Sequence, residues 1–413
     1  AYEIVSRDWS SAVCSSDLTP GVPFVDRTPA LRTIVLRPTL FNLTYLEEFF
    51  VNLRIPGPTT VPQEVAQAGA ADMINHRGPE FAAMIERTTK AVQQVYQTKN
   101  DVMTLTSSGT GAMESAIVNL MAPGEEVLVI SIGEFGDRLI NLVKIYGGKA
   151  TELKFDQGLA ADLNQVQAAL QANPNIRLAL VTHNETSTGV TQPILPDLAK
   201  LVHARDGILI VDAISSLSSV PVKTDEWDLD VVLSGSQKGW MTAPGLAFVS
   251  ANERAWAKID ANTSQPRFYF DLRRHQKSAE TGQTPWTPAV SIWFQLDKSL
   301  AMMFEEGMDN VYARHHRLAT ACRNGVRSMG LQLLATEGIE SDTVTAIRLP
   351  EGIDGQKLLN VAQDKFNTVF AGGQGSLRGK IIRFGHLGWV HDEDIAAGLE
   401  ALRGSLAELG YKG

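Results

Sequence analysis

Residues 230–240 read DVVLSGSQKGW, and the reading of this stretch decides the rest of the chain. Val231 to Leu233 form a short apolar run that predicts a buried strand. The strand empties into Ser234, Gly235, Ser236 and Gln237, then into one lysine, Lys238, with Gly239 behind it. An ammonium taken out of water is disfavoured against its neutral form. Its pKa falls, and the amine becomes a nucleophile able to form a Schiff base. The glycines let backbone come close to a flat ligand. Taken alone, SGSQKG suits a solvated turn equally well, so the neighbouring segments must decide.

Working outward, the same rhythm of strand, loop and helix recurs on both sides. Strands are expected at 102–105, 126–131, 150–155, 176–181, 207–211 and 231–233, separated by helix-length stretches. A last strand at 245–249 is expected to close the sheet antiparallel. This alternation predicts an α/β fold: a mostly parallel seven-stranded sheet with helices on both faces. Ligands of such sheets gather at the carboxyl ends of the strands, and Lys238 lies at one of them. From about Pro288 the pattern changes. Helices at 291–303 and 311–329 lead into a tail of strand, helix, strand and helix at 343–349, 356–366, 380–384 and 392–409. The expected organisation is a large domain at 51–290 and a smaller α+β domain at 291–413.

Upstream, IPGP at 55–58 is a rigid turn in which prolines flank Gly57, a residue able to approach a ligand. NHRGPEF follows at 75–81. A helix over 80–98 then presents Phe81, Met84, Ile85, Ala91, Val92, Val95 and Tyr96 on one face. Residues 1–50 are Ser-rich at their start and lack periodicity. They read as a foreign extension outside the fold, with a short amphipathic pattern at 40–50 and no role for Cys14.

The composition narrows the function. The chain has 413 residues, 44% hydrophobic and 20% charged, with a net charge of -9, which gives no electrostatic reason for a nucleic-acid or anionic-membrane partner. No apolar run approaches the ~20 residues of a membrane helix. Cys14 and Cys322 make neither a disulfide framework nor a metal cluster, and a reducing, cytoplasmic setting is expected. The sequence ends YKG, which is not a peroxisomal tripeptide.

Three further loops at strand ends complete a chemical set with Lys238. Ser107-Ser108-Gly109-Thr110-Gly111 precedes a helix, so hydroxyls and free amides converge where the helix dipole is positive, as in a phosphate cradle. It is no Walker loop, since no GK[ST] follows, and Glu114 stands where a dinucleotide fingerprint needs its third glycine. Asp212 ends the apolar run GILIV. A carboxylate there needs a partner, and a protonated ring nitrogen suits it; capping of the next turn is the plainer use. THNETSTG at 182–189 offers hydroxyls near the same crevice, and Phe135 could stack on a planar ring. An anionic group, a ring nitrogen, a ring face and an aldehyde together describe pyridoxal 5'-phosphate.

With IPGP, NHRGPEF, SSGTGAMES, THNETSTGV, VDAISSLSSVP, SGSQKG and KIIRFGHLG in place, residues from about 52 to 409 resemble class V aminotransferases of fold type I. The likeness is to the alanine–glyoxylate and serine–glyoxylate aminotransferases in particular. The resemblance implies Lys238 as the Schiff-base lysine and Asp212 as the partner of the pyridine nitrogen. It puts Ser108, Gly109, Thr110 and Gln237 around the phosphate, Ile214 beside the cofactor, and Thr186 on its phenolic oxygen. Phe135 stands where many relatives stack a tryptophan. The resemblance also implies a homodimer with shared sites. Thr287 would reach the neighbour's phosphate, while Thr284 replaces a tyrosine of the mammalian branch. Arg383 would bind the substrate carboxylate, a pairing that suits a guanidinium fork. Arg77 would approach the substrate from the partner chain, with Gly57 lining the substrate space. The implied reaction is ping-pong transfer of an amino group from serine or alanine to glyoxylate, with small amino acids and 2-oxo acids as substrates.

Other readings fit less well. A cysteine desulfurase needs a nucleophilic cysteine on a mobile loop, whereas Cys322 sits in a helical pattern as a small hydrophobe. A 2-aminoethylphosphonate or phosphoserine aminotransferase needs extra cations for a second anion. A relative like the small subunit ascribed to soluble cyanobacterial hydrogenases shares the pattern, but Lys238, Asp212 and Arg383 argue for retained catalysis. A dinucleotide-binding oxidoreductase gives Lys238 no task. His315 and His316 read as a solvated helix face with Arg314 and Arg317, and Trp286 and Trp293 as interface or core. His183 reads as a hydrogen-bonding loop residue, and His386 as structural or pocket-lining.

Overall fold

The computed structural model describes residues 51–412, so the extension, Cys14 and the 40–50 pattern lie outside the described residues. The chain opens with β1 (Asn52–Arg54), α1 (Gln63–Gly69), α2 (Pro79–Tyr96), β2 (Asp101–Ser107), α3 (Gly109–Leu120), β3 (Glu126–Ser131), α4 (Glu134–Ile145) and β4 (Lys149–Lys154). It continues through α5 (Leu163–Ala172), β5 (Leu178–Thr182), the short pair β6 (Asn184–Glu185) and β7 (Val190–Thr191), α6 (Leu195–His203), β8 (Ile208–Asp212) and β9 (Val231–Gly235). Next come β10 (Gly245–Ala251), α7 (Glu253–Ala261), α8 (Leu272–Ala279), α9 (Val290–Glu306) and α10 (Met308–Ser328). The last elements are β11 (Val344–Arg348), α11 (Gly355–Phe366), β12 (Thr368–Gly372), β13 (Ile381–Gly385) and α12 (Asp392–Glu408).

The seven expected strands form one sheet in the order β2-β10-β9-β8-β5-β3-β4. Neighbours from β9 to β4 pair parallel, and β10 runs antiparallel to both β9 and β2, as expected for the closing strand. The central strands β5, β8 and β9 are buried throughout. Their side chains alternate between two cores. Ala179, Val181, Leu209, Val211 and Val232 join the side covered by α2, α5, α6 and α9. Leu178, Leu180, Ile208, Ile210, Val231 and Leu233 join the side covered by α3, α4 and α7. Burial on both faces explains why these strands read as unbroken apolar runs, each large side chain contributing about 1.5–3 kcal/mol. Trp293 lies in the first of these cores, edge-on to Phe81 at 5.7 Å between ring centres.

A second sheet has the order β1-β12-β13-β11 and packs on α10, α11 and α12. Its outer strand, β1, comes from the start of the described chain and pairs parallel with Thr368–Phe370. Neither β1 nor β12 was expected from periodicity, because three to five residues are too few to show alternation. Cys322 is buried in this core, and desolvation pushes its thiol up to about 12, as befits a small hydrophobe. His315 corrects the expectation of a solvated face. It is buried, donating from Nδ1 to the Val311 carbonyl (2.7 Å) and accepting at Nε2 from the Gly388 amide (3.0 Å). Its neighbours His316 and Arg317 are exposed, His316 beside Asp342 at 2.9 Å.

Candidate functional site

Lys238 lies three residues beyond the end of β9, where the carboxyl ends of the parallel strands leave a crevice. Its side chain is buried and donates from Nζ to the Pro56 carbonyl at 2.5 Å. Desolvation lowers its pKa to about 8, with Arg383 and Arg138 pushing the same way and Asp212 opposing. Across the crevice, Asp212 is the last residue of β8. Its Oδ1 accepts from the Ile214 amide (3.0 Å) and its Oδ2 from the Thr182 hydroxyl (3.3 Å). Burial, aided by the charge of Glu185, raises its pKa to about 6 against those two hydrogen bonds. Among the described residues this carboxylate forms no ion pair, which leaves room for a cationic ring nitrogen.

The turn from β2 into α3 forms the cradle. The helix begins at Gly109 rather than at the expected residue 112, so Gly109 and Thr110 are its first residues and Ser108 its cap position. The first amides of a helix have no partner within it and face the anion position. A Cβ on Gly109 would lie 2.8 Å from Ile214 Cδ1, so Ile214 packs directly against the turn. Gln237 reaches the same place, and its Oε1 is buried without a partner. Rotation of the terminal amide presents N–H to an anion there.

Arg138 was not singled out from the sequence. Its Nη1 donates to Thr110 Oγ1 (3.1 Å), and its guanidinium lies 4.6 Å from the Phe135 ring centre. The signal was the spacing of Phe135 and Arg138 by three residues on one helix, which places them side by side. Glu185 was also passed over. It is fully buried, and it ties the loop after β5 to the start of α4.

Thr186 donates from Oγ1 to Ser215 Oγ (3.1 Å), and Ser215 in turn donates to the Asn184 carbonyl (2.7 Å). Arg383, in the middle of β13, brings the second sheet to the crevice. Its Nε donates to the Gly372 carbonyl (2.9 Å), and its Nη1 to the Thr186 carbonyl (3.4 Å) and to Gln374 Oε1 (3.3 Å). Every one of these acceptors is uncharged, so the buried guanidinium keeps its charge for an incoming anion. Gly57 faces Lys238 with φ +126°, and a Cβ there would lie 2.7 Å from Nζ.

Two expected residues lie elsewhere in the single chain. Arg77 is exposed and donates from Nη1 to the Thr284 carbonyl (2.5 Å) and to Gln283 Oε1 (3.1 Å). Thr287 is exposed on the same segment as Thr284. Trp286 is half-buried and stacks on Phe268 and Tyr269. His386 is fully buried between Thr345 Oγ1 (2.9 Å) and the Asp342 carbonyl (3.2 Å), a structural position rather than a pocket wall. His183 pairs through Nδ1 with Ser216 Oγ at 2.9 Å, and burial lowers its pKa to about 4.

The orphaned amide oxygen of Gln237, the turn that opens α3 at Gly109, and an Asp212 carboxylate that forms no ion pair among the described residues fit pyridoxal 5'-phosphate. Similarity to known proteins agrees. The chain is 36% identical to the L-aspartate–glyoxylate aminotransferase of Paracoccus denitrificans, over 86% of this chain and 91% of that protein. It is 40% identical to the soluble hydrogenase small subunit of Synechococcus, over 87% of this chain and 94% of that one. The crystal structure of an alanine–glyoxylate aminotransferase from Nostoc superposes with a TM-score of 0.83 at 28% identity, covering 86% of this chain and 95% of that one. The family description "Aminotransferase class-V" matches residues 52–377. With both sheets, the crevice and this match in hand, the chain belongs to the class V aminotransferases, which use pyridoxal 5'-phosphate.

Proposed function

We propose that this chain moves the amino group of a small amino acid, serine or alanine, to glyoxylate, with Lys238 as the cofactor-bearing amine. One observation carries the reading: a buried amine of lowered pKa stands at the end of β9, beside a buried carboxylate without an ion pair at the end of β8. Glyoxylate is the acceptor named for both the Paracoccus relative and the Nostoc structure.

Pyridoxal 5'-phosphate supplies an aldehyde that takes up amines and a ring that withdraws electrons from the carbon bearing them. The chain's own residues do the rest. The α3 amides with Ser108, Gly109, Thr110 and Gln237 would hold the phosphate, with Ile214 packed against that turn. Asp212 would keep the ring nitrogen protonated. Phe135 would offer a ring face for stacking, and Thr186 a hydroxyl for the phenolic oxygen. Arg383 receives the substrate carboxylate, which aligns the Cα–H bond with the Lys238 amine. That amine, with a pKa lowered to about 8, would take the proton from the substrate Cα and hand it to the carbon that the cofactor's aldehyde supplies. Burial excludes bulk water from both transfers.

The exposed positions of Arg77 and Thr287 support a homodimer in which each chain completes its neighbour's site. We take residues 51–290 as the large cofactor domain and 291–413 as the smaller one, with β1 paired into the smaller domain's sheet and α9 packed in the larger domain's core. We assign the enzyme to the cytoplasm, and among the described residues no helix is long and apolar enough to cross a membrane. The purified protein should be yellow, bleach on adding an amino donor and regain colour with glyoxylate. A panel of serine, alanine and aspartate against glyoxylate tests the reading; absence of glycine formation with all three rejects it.

A further inference from the structure

Helix α4 has no cap of its own. Gly133 occupies the cap position, and the three amides that follow are held by residues from β6 and the turn after it. Glu134 N donates to Ser187 Oγ (3.0 Å), while Phe135 N and Gly136 N both donate to Glu185 Oε2 (3.1 Å each). The other oxygen, Oε1, accepts from Ser187 N (3.0 Å) and Ser187 Oγ (2.6 Å). Four donors and the positive end of a helix oppose the desolvation of this carboxylate, which still raises its pKa. A Cβ on Gly133 would fall 2.4 Å from Ser187 Oγ and 2.7 Å from Glu185 Cγ, so only glycine lets the two segments meet.

An architectural anchor could be any polar side chain. Glu185 differs in what lies around it. The turn that it holds carries Phe135, and Arg138 follows on the same helix. Its charge also bears on Asp212 and on Arg383. We propose that Glu185 is a positioning residue of this site: through the amides of Phe135 and Gly136 it fixes the Phe135 ring against the cofactor. The proposal rests on the pyridoxal phosphate reading above.

The test is titration of the cofactor-free protein with pyridoxal 5'-phosphate, followed by tryptophan fluorescence and near-visible absorbance. Glu185→Gln keeps the volume but removes the charge and turns one acceptor into a donor facing N–H groups. Its affinity should fall about 10- to 100-fold, and the pH midpoint of the bound-cofactor band should move. In the double variant with Phe135→Leu, the loss should stay within about threefold of the larger single loss, because both act through one ring. Affinity within twofold of wild type, an unmoved midpoint or fully additive losses would overturn the proposal. If Glu185→Gln does not fold, Ser187→Ala decides: a loss of about three- to tenfold supports the proposal and no loss rejects it. A wild-type protein that takes up no cofactor rejects the functional reading and this proposal together. Uptake by wild type with an unaltered Glu185→Gln rejects only the latter.

Discussion

Gly57 and Lys238 are in closer contact than any side chain at position 57 would allow. The lysine amine lies 2.7 Å from where a Cβ on residue 57 would stand, and it is tied to the carbonyl of the preceding proline at 2.5 Å. The turn IPGP is therefore the wall that aims the amine. Gly57→Ala would force a side chain into a left-handed conformation and onto the lysine. We expect stability to fall by about 1–3 kcal/mol and turnover by at least tenfold. Far-UV circular dichroism should stay unchanged. Full activity in the purified variant would show that the contact is not needed.

Lys238→Met should abolish amino transfer, with a loss of roughly 1,000-fold or more, together with the near-visible absorbance. The cofactor-free variant should also melt higher than the wild type. The buried amine has a folded pKa of about 8 against 10.5 for the free side chain, so the native state binds fewer protons than the unfolded state between those values. Wild-type stability should accordingly rise with pH from about 8 to 10.5, and the variant should lose that rise. Calorimetry across this range checks both points.

The same lowered pKa predicts how fast the cofactor-free enzyme captures pyridoxal phosphate. Only the neutral amine attacks an aldehyde, so the rate constant should climb about tenfold per pH unit below about 8 and level off above it. Stopped-flow absorbance gives the profile directly. A break near 10.5 would contradict the environment described for Lys238.

Asp212 has the opposite dependence. Its folded pKa is about 6 against 3.8, so the cofactor-free native state holds an extra proton in that window and loses stability as pH rises through it. The loss is on the order of 2–3 kcal/mol. Asp212→Asn should remove the decline and stabilise the cofactor-free protein at neutral pH, while weakening cofactor binding and stopping turnover. Denaturant titrations at pH 4 and pH 7 separate the two proteins.

Arg383→Lys should raise the KM of the amino donor far more than it lowers turnover, for a loss of roughly 10- to 150-fold in kcat/KM. The ammonium keeps the charge but cannot form the two parallel hydrogen bonds of a guanidinium. Equal losses in turnover and in kcat/KM would assign the arginine a different task.

The large sheet was legible because its central strands are buried on both sides and appear as pure runs of Val, Leu and Ile. Lys238 and Asp212 were legible because they stand at or just beyond the ends of such runs, and the Ser108–Thr110 turn because its hydroxyls and glycines lead into a helix. Arg138 and Glu185 were not. An arginine on a polar helix and a glutamate in THNETSTG carry no local mark of burial; their surroundings come from segments 28 to 50 residues away in the chain. His315 misled for the same reason, since its flanking arginines and His316 suggest water, while the groups that bury it belong to the 388 turn. β1 and β12 failed differently, being too short for any period to show.

The pairing of Asn52–Arg54 with Thr368–Phe370 joins segments more than 300 residues apart. During synthesis the ribosome therefore releases the amine-bearing loop long before the partner of β1 exists. The turn that aims Lys238 follows directly after β1, so the strand that leads into it is fixed in its sheet only when β12 has emerged. Nascent chains lacking the last fifty or so residues could build the large sheet and still leave the lysine undirected. Catalytic competence then arrives as a late event in folding, gated by the most distant pairing among the described strands.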